Sequence, residues 1–281
     1  MVIIMANEVI ELKNLCLGYG AKTILKDVNA VIRQGELVGI IGCNGAGKST
    51  FLKSLRGLLP LQAGQVLYYG KDMHSYSDRE MALQVAYLQQ QVNLSFGYTC
   101  LEVVLAGRYP HKKWWQEEND QDKELALACL EYTGTLDLAD RQFNELSGGQ
   151  KQRVLVAKIL AQQTPIVFLD EPTTGLDIVY QEEIFRFAQS LAAAGKTVLM
   201  VVHELNLAAK YCTRLMLIGQ NKIIADGKPS EVLTEDNLHK SYHSRLSVVR
   251  NKETGSVEIF TKPDSQELEV KRRLLHKVLN F

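Results

Sequence analysis

The sequence predicts an α/β fold in which a helical segment interrupts the sheet. Short apolar runs of strand type alternate with turns over the first 90 residues, whereas the stretch from about Gln91 to Ala161 shows only helical patterns. Strand-type runs then return. We therefore expect a discontinuous α/β core over residues 1–90 and 162–262, a helical subdomain over 91–161 and a C-terminal helical tail over 263–281.

The core strands are expected at short apolar runs, each of which ends abruptly. Before the helical segment the runs are Val9–Leu17, Ile24–Ile32, Leu37–Ile41, Gln65–Tyr69 and Val85–Leu88. After it they are Ile166–Leu169, Val198–Val202 and Leu215–Ile218, followed by two short strands around Val248 and Val257. A helix is expected over Lys48–Leu58, closed by Pro60, and a capped helix near Thr234.

The bulk composition excludes several classes of protein. A chain of 281 residues is long enough for one large α/β domain with an embellishment, or for two small domains. Its 46% hydrophobic and 23% charged residues are ordinary for a folded protein with a sizeable core. Lys+Arg and Asp+Glu both total 32, so the basic excess typical of a nucleic-acid-binding protein is missing. We predict no nucleic-acid partner.

The five cysteines are dispersed and show no metal-ligand spacing, which indicates reduced thiols in a cytosolic compartment. The longest apolar runs, such as Val198–Val202, are far shorter than the ~20 residues that a membrane-spanning helix needs. We therefore expect any membrane association to depend on partner proteins.

A phosphate-binding loop lies directly behind the apolar run Leu37–Ile41. Its residues are Gly42, Cys43, Asn44, Gly45, Ala46, Gly47, Lys48, Ser49 and Thr50, in the pattern strand, G-x-x-x-x-G-K-[ST], helix. The glycines let backbone N–H groups point at phosphate oxygens, and the following helix adds its positive N-terminal end. Lys48 is suited to the β- and γ-phosphates and the Ser49 hydroxyl to Mg²⁺. The loop predicts binding of a nucleoside triphosphate.

Polar groups follow three further core strands. Gln90 comes soon after Val85–Leu88, Asp170 and Glu171 come after Ile166–Leu169, and His203 comes after Val198–Val202. Ligands of open α/β sheets bind beyond the carboxyl ends of the strands, so these groups are expected at one catalytic centre with the phosphate-binding loop.

The chemistry of each group suggests its role. A carboxylate such as Asp170 suits contact with Mg²⁺, often through a water, and Glu171 can polarise the attacking water as a general base. The Gln90 amide can join the metal to that water, and His203 can donate a hydrogen bond to the γ-phosphate. A lone Asp-Glu before Pro172 is more often a helix cap, and a lone His is more often structural. Their joint occurrence favours the catalytic interpretation.

The segment Ser147-Gly148-Gly149-Gln150, at the start of a predicted helix, offers a second anion site. Together with the preceding motifs it resembles the signature sequence of ATP-binding-cassette (ABC) ATPases, and the resemblance covers nearly all of residues 7–262. It implies a P-loop NTPase core with an antiparallel β subdomain and an inserted α-helical subdomain.

The resemblance also implies roles for individual residues. Tyr19 is similar to the aromatic residue that stacks on adenine, and Asp177 lies in a segment similar to the D-loop. Gln90, Asp170, Glu171 and His203 match the family's Q-loop glutamine, Mg²⁺ aspartate, catalytic glutamate and switch histidine. Two positions depart from the family pattern: Cys43, where proline is usual, and Glu204, where aspartate is usual. The Cys43 thiol predicts inhibition by alkylating reagents.

The family resemblance implies ATP and Mg²⁺ as ligands and a head-to-tail homodimer, each ATP being held by one phosphate-binding loop and the partner's signature. Ala106–His111, with the sequence Ala-Gly-Arg-Tyr-Pro-His, resembles importer ATPases for iron-siderophore, haem and cobalamin complexes. The implied partners are two integral-membrane permease subunits and, indirectly, an extracytoplasmic substrate-binding protein. The implied location is the cytoplasmic face of the cell membrane. Trp114 and Trp115 are either contact anchors or part of a packed loop.

Other functions remain open at this point. The alternatives are an ABC ATPase of another metal or small-solute transporter, a soluble ABC ATPase acting on DNA or ribosomes, and a P-loop kinase. In the tail, Leu274, Leu275, Val278 and Leu279 form an apolar stripe beside basic residues. We expect this helix to pack on its own domain, the alternative being a partner subunit or a membrane surface.

Overall fold

The computed structural model describes residues 7–89, 97–112, 119–242, 246–251, 257–261 and 265–279. Its strands are β1 Glu8–Tyr19, β2 Lys22–Arg33, β3 Leu37–Ile41, β4 Leu61–Tyr68, β5 Lys71–Asp72, β6 Val85–Leu88, β7 Ile166–Asp170, β8 Thr197–Val201, β9 Arg214–Gly219, β10 Lys222–Gly227, β11 Leu246–Arg250 and β12 Val257–Thr261. Its α-helices are α1 Lys48–Leu55, α2 Asp78–Gln84, α3 Cys100–Leu105, α4 Asp120–Tyr132, α5 Gly148–Ala161, α6 Ile178–Ala193, α7 Leu205–Tyr211, α8 Pro229–Val232, α9 Glu235–Tyr242 and α10 Ser265–Leu279.

A six-stranded sheet in the order β10-β9-β3-β8-β7-β6 forms the centre of the molecule. Strands β9, β3, β8, β7 and β6 are parallel, and β10 is an antiparallel edge strand. All residues of β3, β7 and β8 are buried, because parallel strands are covered on both faces. The carboxyl ends of these three strands therefore meet at one edge of the sheet.

A second, antiparallel sheet in the order β2-β1-β4-β5 packs over α1. Phe51 and Leu55 of α1 share one apolar cluster with Ile10 of β1 and with Val38 and Ile40 of β3. The helix is thus held between the two sheets. Burial of each such side chain stabilises the fold by about 1.5–3 kcal/mol.

The inserted helices α3, α4 and α5 pack against one another around Val104, Leu130 and Val154. These side chains belong to the same apolar cluster as Leu37 and Val198 of the central sheet. The predicted α/β fold with an antiparallel β subdomain and inserted helices is confirmed. The predicted domain boundaries at 90, 161 and 262 stay predictions.

Two predicted element boundaries were wrong by three residues or more. Helix α1 ends at Leu55 rather than Leu58, because Gly57 adopts a left-handed conformation with φ 78° that ends the helix before Pro60 is reached. Strand β4 begins at Leu61 rather than Gln65, because Leu61 and Ala63 pair with β1 beyond an irregularity in the register.

The C-terminal helix α10 does not bury its apolar stripe. Its side chains are exposed by 55% at Val270, 56% at Leu274, 57% at Leu275, 71% at Val278 and 73% at Leu279. The expectation that this stripe packs on its own domain was therefore wrong for these residues. Among the helices of the described ranges, none combines the length and the apolar character that crossing a bilayer requires.

Candidate nucleotide site

The phosphate-binding loop connects β3 to α1, and its backbone requires glycine. Gly42 and Gly47 have φ values of 148° and 100°, in the region that side chains rarely adopt. A Cβ atom would lie 2.3 Å from the Ile218 carbonyl oxygen at Gly42 and 2.2 Å from the Ile24 side chain at Gly47. The loop is thus packed closely against its surroundings.

Lys48 holds the start of the loop in place. Its ammonium group donates hydrogen bonds to the carbonyl oxygens of Gly42 at 2.8 Å and Cys43 at 3.0 Å. Only 4% of Lys48 is exposed, and this burial lowers the pKa of its ammonium group, while the nearby Glu171 carboxylate opposes the effect. The Lys48 ammonium lies among oxygen atoms, as expected for a group that can also bind phosphate.

Ser49 and Asp170 form the oxygen-rich part of the site. The Ser49 hydroxyl donates to Asp170 Oδ1 at 2.7 Å, and the Tyr87 hydroxyl donates to Asp170 Oδ2 at 2.7 Å. Burial, followed by this hydrogen bond to Asp170, raises the pKa of Tyr87. Hydroxyl and carboxylate oxygens are the ligands that Mg²⁺ prefers, so Ser49 and Asp170 fit a magnesium ion.

Glu171 and His203 lie together at the ends of the adjacent strands β7 and β8. His203 Nε2 is 2.9 Å from Glu171 Oε1, and the Thr174 hydroxyl donates to Glu171 Oε2 at 3.3 Å. Glu171 has a φ of 50°, an uncommon conformation for a residue with a side chain. Such strain is found preferentially at functional sites, where it aims a side chain in a required direction.

Glu204 links the segment after β8 to the segment after β7. Its Oε2 accepts hydrogen bonds from the Thr173 hydroxyl at 2.9 Å and from the His203 backbone N–H at 3.4 Å. In the sequence, Glu204 was recognised only as a departure from the family pattern. The structure gives this carboxylate a partner on the neighbouring loop.

Most of these groups line one open cavity of about 660 Å³, and Asp170 contacts its wall through Ser49. Its walls include Asn44, Gly45, Gly47, Lys48, Ser49, Thr50, Glu171, Thr173, Thr174 and His203. Tyr19 lies beside this cavity, where its hydroxyl is 3.5 Å from Thr50 Oγ1 and 52% of the residue is exposed. The structure therefore brings the phosphate-binding loop, Asp170, Glu171 and His203 together at one site.

The signature segment does not belong to this cavity within one chain. Ser147 caps α5 by accepting a hydrogen bond from the Gln150 N–H, and the Gln150 side chain accepts one from the Ser147 N–H. The residues that line the described part of the cavity do not include Ser147, Gly148, Gly149 or Gln150.

Asp177 also caps a helix. Its carboxylate accepts hydrogen bonds from the N–H groups of Val179 and Tyr180 at the start of α6. Three residues that were assigned from the sequence, Gln90, Trp114 and Trp115, lie outside the described residues.

Two tyrosines of the site were missed by sequence reasoning. Sequence reasoning assigned Tyr87 no role, although its hydroxyl donates a hydrogen bond to Asp170. Tyr242 accepts a hydrogen bond from the Gly42 N–H at 3.1 Å, and burial raises the pKa of its phenol to about 12. Because Tyr242 lies 200 positions from Gly42, no local sequence signal predicts this contact.

The ABC transporter family profile matches residues 25–174 of the 281-residue chain. The chain belongs to this family. The predicted resemblance is therefore confirmed, and the molecule is an ABC ATPase.

Several curated relatives align with most of this ABC ATPase. The hemin import ATP-binding protein HmuV of Thermobifida fusca is 39% identical over 86% of this chain and 85% of the relative. The iron(3+)-hydroxamate import ATP-binding protein FhuC of Bacillus subtilis is 37% identical over 89% of this chain and 93% of the relative. The cobalamin import ATP-binding protein BtuD of Halobacterium salinarum is 38% identical over 86% of this chain, but the match spans only 60% of that longer relative.

Solved ABC structures share the fold. A chain from an inward-facing transporter assigned to the metal-chelate type superposes with a TM-score of 0.81 at 26% identity, covering 92% of this chain and all of that chain. The dimeric cassette MJ0796 superposes with a TM-score of 0.71 at 32% identity, covering 78% of this chain and 98% of that chain.

Proposed function

We propose that this chain is the ATP-hydrolysing subunit of an importer for an iron-siderophore, haem or cobalamin complex. The names of the relatives support this class of cargo, since they are import ATP-binding proteins for hemin, iron-hydroxamate and cobalamin. The residues of the nucleotide cavity support ATP hydrolysis as the chemistry. In this proposal ATP binding and hydrolysis drive movements of two integral-membrane permease subunits, which receive cargo from an extracytoplasmic substrate-binding protein.

The hydrolytic function is supported by two pairs of polar residues that lie side by side at the ends of adjacent strands. Asp170 contacts Ser49 at 2.7 Å, and Glu171, the next residue, contacts His203 at 2.9 Å. The pair of Asp170 and Ser49 suits the metal, and the pair of Glu171 and His203 suits the attacking water. Consecutive residues thus serve two neighbouring functions, which a phosphoryl-transfer site requires.

Each residue has a distinct role in the proposed site. The loop N–H groups and Lys48 hold the phosphates of ATP, while Ser49 and Asp170, with Gln90, hold Mg²⁺. The metal, when bound, neutralises charge on the phosphate oxygens. Glu171 accepts a proton from the attacking water, and His203 orients Glu171 and donates to the γ-phosphate. Tyr19 stacks on the adenine ring.

The proposed active form is a homodimer in which the signature of one copy completes the nucleotide site of the other. Ser147 and Gly148 lie at the N-terminal end of α5, which favours an anion. A Cβ atom at Gly148 would meet no atom within 4 Å, so the backbone there is accessible to a ligand. The dimeric cassette with a similar fold supports this arrangement. The assembly lies at the cytoplasmic face of the membrane, attached through its permeases.

Glu171→Gln tests the hydrolytic assignment. The substitution removes the water-activating carboxylate but keeps its size, so ATP should still bind while turnover falls at least about a hundredfold. Lys48→Ala is the contrasting variant, because it should weaken ATP binding itself. ATP affinity is measured by nucleotide titration, and turnover is measured by phosphate release. Near-normal turnover of the Glu171→Gln protein would remove Glu171 from the proposed role.

The transport assignment requires a separate experiment. The tagged chain should copurify with a polytopic permease, and a strain lacking the gene should lose uptake of one of three radiolabelled cargoes: a ferric siderophore, haem or cobalamin. The wild-type gene should restore uptake and the Lys48→Ala gene should not. Unimpaired uptake of all three cargoes would contradict the proposed cargo class.

A further inference from the structure

The first residue of the phosphate-binding loop, Gly42, is held at both polar atoms of its backbone. Its N–H donates to the hydroxyl oxygen of Tyr242 at 3.1 Å, and its carbonyl oxygen accepts from the Lys48 ammonium at 2.8 Å. Lys48 has a role in the proposed phosphate binding. Tyr242, the last residue of α9, has none, so its contact with the loop needs an explanation of its own.

Helix α9 is packed closely beside the loop, which fixes the position of Tyr242. The Ser241 hydroxyl donates to the Ile218 carbonyl oxygen of β9 at 2.8 Å, and a Cβ atom at Gly219 would lie 3.1 Å from the Ser241 Cα. A Cβ atom at Gly42 would lie 2.3 Å from the same Ile218 carbonyl oxygen. The end of α9 and the start of the loop therefore meet at the end of one strand, β9.

The Gly42 N–H group is bonded to Tyr242 and does not serve the nucleotide cavity. The described lining of that cavity includes Gly45, Gly47 and Lys48 but not Gly42. Gly42 is buried, and a buried N–H group without an acceptor is costly. The Tyr242 hydroxyl supplies that acceptor.

The Tyr242 phenol suits a place close to phosphates because it is neutral at physiological pH. Burial raises the pKa of this phenol to about 12. A neutral oxygen accepts the Gly42 N–H without adding a negative charge that would repel ATP. The Tyr242 ring also packs against the apolar cluster to which the buried α9 residue Leu238 belongs. Since neither Tyr242 nor Gly42 lines the described cavity, their contact does not depend on a bound nucleotide.

We propose that Tyr242 is a positioning residue for ATP binding, which holds the Gly42 backbone in the conformation that the phosphate-binding loop needs. This inference rests on the proposed ATP-binding function. Gly42 has a φ of 148°, and glycine is free to adopt many other backbone conformations. A loop without its anchor would lose more conformational entropy when ATP binds. Tyr242 lowers this cost because the anchor is in place before the nucleotide arrives.

Tyr242→Phe tests the anchor, since it keeps the ring and removes only the hydroxyl acceptor. The dissociation constant of ATP should rise about fivefold, because the net contribution of one hydrogen bond corresponds to about that factor. The KM for ATP should rise with it, while kcat at saturating ATP should stay within about twofold of wild type. Binding is measured by equilibrium titration and turnover by phosphate release. The matched control is Tyr76→Phe, which removes a hydroxyl that donates to the Tyr68 carbonyl oxygen outside the described nucleotide cavity.

Hydrogen exchange of the Gly42 amide gives a second readout. In nucleotide-free wild type this amide should be protected, because exchange requires its hydrogen bond to Tyr242 to open. In Tyr242→Phe it should exchange faster, and in Tyr76→Phe it should exchange as in wild type. Mass spectrometry with fragmentation to single residues follows the exchange.

The outcomes separate this inference from the proposed function. If wild type does not bind ATP, the proposed function itself is contradicted. If wild type binds ATP and Tyr242→Phe binds it as tightly as Tyr76→Phe does, the inference is overturned. A lower melting temperature of Tyr242→Phe with unchanged ATP affinity also overturns it, since the contact would then be only structural. If circular dichroism shows that Tyr242→Phe does not fold, the wild-type amide decides: protection at Gly42 supports the anchor, and rapid exchange overturns it.

Discussion

At the scale of single residues, the chemistry of the site depends on contacts between positions far apart in the chain. The sequence predicted that Ser49, Asp170, Glu171 and His203 meet, and the structure places them in two hydrogen-bonded pairs. The sequence could not predict the two tyrosines, Tyr87 and Tyr242, that contact Asp170 and the phosphate-binding loop. A tyrosine within or behind an apolar strand is normally interpreted as part of the core. Only the packed structure shows that Tyr87 turns its hydroxyl towards Asp170.

Tyr87→Phe should reduce ATP turnover by about tenfold. The change removes the hydrogen bond to Asp170 Oδ2 and leaves that buried oxygen without this donor, a loss of about 1–3 kcal/mol. If the bond orients Asp170 towards Mg²⁺, the concentration of Mg²⁺ needed for half-maximal activity should rise. Tyr76→Phe is the control, since its hydroxyl donates to the Tyr68 carbonyl oxygen away from the site. Equal activity of both variants would leave Tyr87 with only a structural role.

Alkylation of Cys43 should inhibit the enzyme, as the sequence predicted. Cys43 is partly exposed in the phosphate-binding loop, whereas burial raises the pKa of Cys129 to about 11 and of Cys212 to about 12. Thiols with such high pKa values supply little reactive thiolate near neutral pH. Mass spectrometry identifies the modified residue, and Cys43→Ala should be resistant. Full ATPase activity after complete modification at Cys43 would contradict the prediction.

At the scale of elements, the positions of strands were easier to predict than the strands with which they pair. The apolar runs of β3, β7 and β8 match strands with every residue buried, because burial on both faces favours apolar side chains. Their polar residues, Asp170 and Thr197, lie at strand ends. The start of β4 was missed, since its first residues depend on pairing with β1. The start of helix α5 follows a local rule, because Ser147 caps it. No local rule predicted that the apolar stripe of α10 is exposed.

An ion-pair cluster joins α6 to α7 and provides a test of pH dependence. Hydrogen bonds from Lys210, Tyr211 and Arg186 lower the pKa of Glu182 from 4.5 to about 2. A carboxylate with a lowered folded-state pKa stabilises the fold above the unfolded-state pKa. This stabilisation is lost as the pH falls from about 4.5 towards 2. Wild type should therefore melt above Glu182→Gln at pH 7, and the difference should shrink over that interval.

Lys210→Ala is the informative comparison for this cluster. It removes the leading cause of the lowered pKa but keeps the carboxylate, so the folded-state pKa of Glu182 should lie nearer 4.5. The stability lost on acidification should therefore be smaller, and the loss should end at a higher pH, than in wild type. Melting temperatures measured from pH 2 to pH 7 follow the effect. A constant difference between wild type and Glu182→Gln across this range would show that the cluster does not stabilise the folded state.

At the scale of the whole molecule, the proposed nucleotide site needs groups from two copies of the chain. The signature segment does not line the described nucleotide cavity of its own chain. In the proposed dimer, the signature of a second copy completes this cavity.

The sequence by itself determined the α/β class, the phosphate-binding loop and the identity of its chemical groups. These follow from local rules: burial demands apolar runs, a tight anion loop demands glycine, and polar groups gather at the carboxyl ends of parallel strands. The tertiary structure alone decided which supporting contacts form, such as Tyr87 with Asp170, Glu204 with Thr173 and Asn206 with Ile259. These pairs join residues that are distant in the chain, and their geometry depends on how whole elements pack.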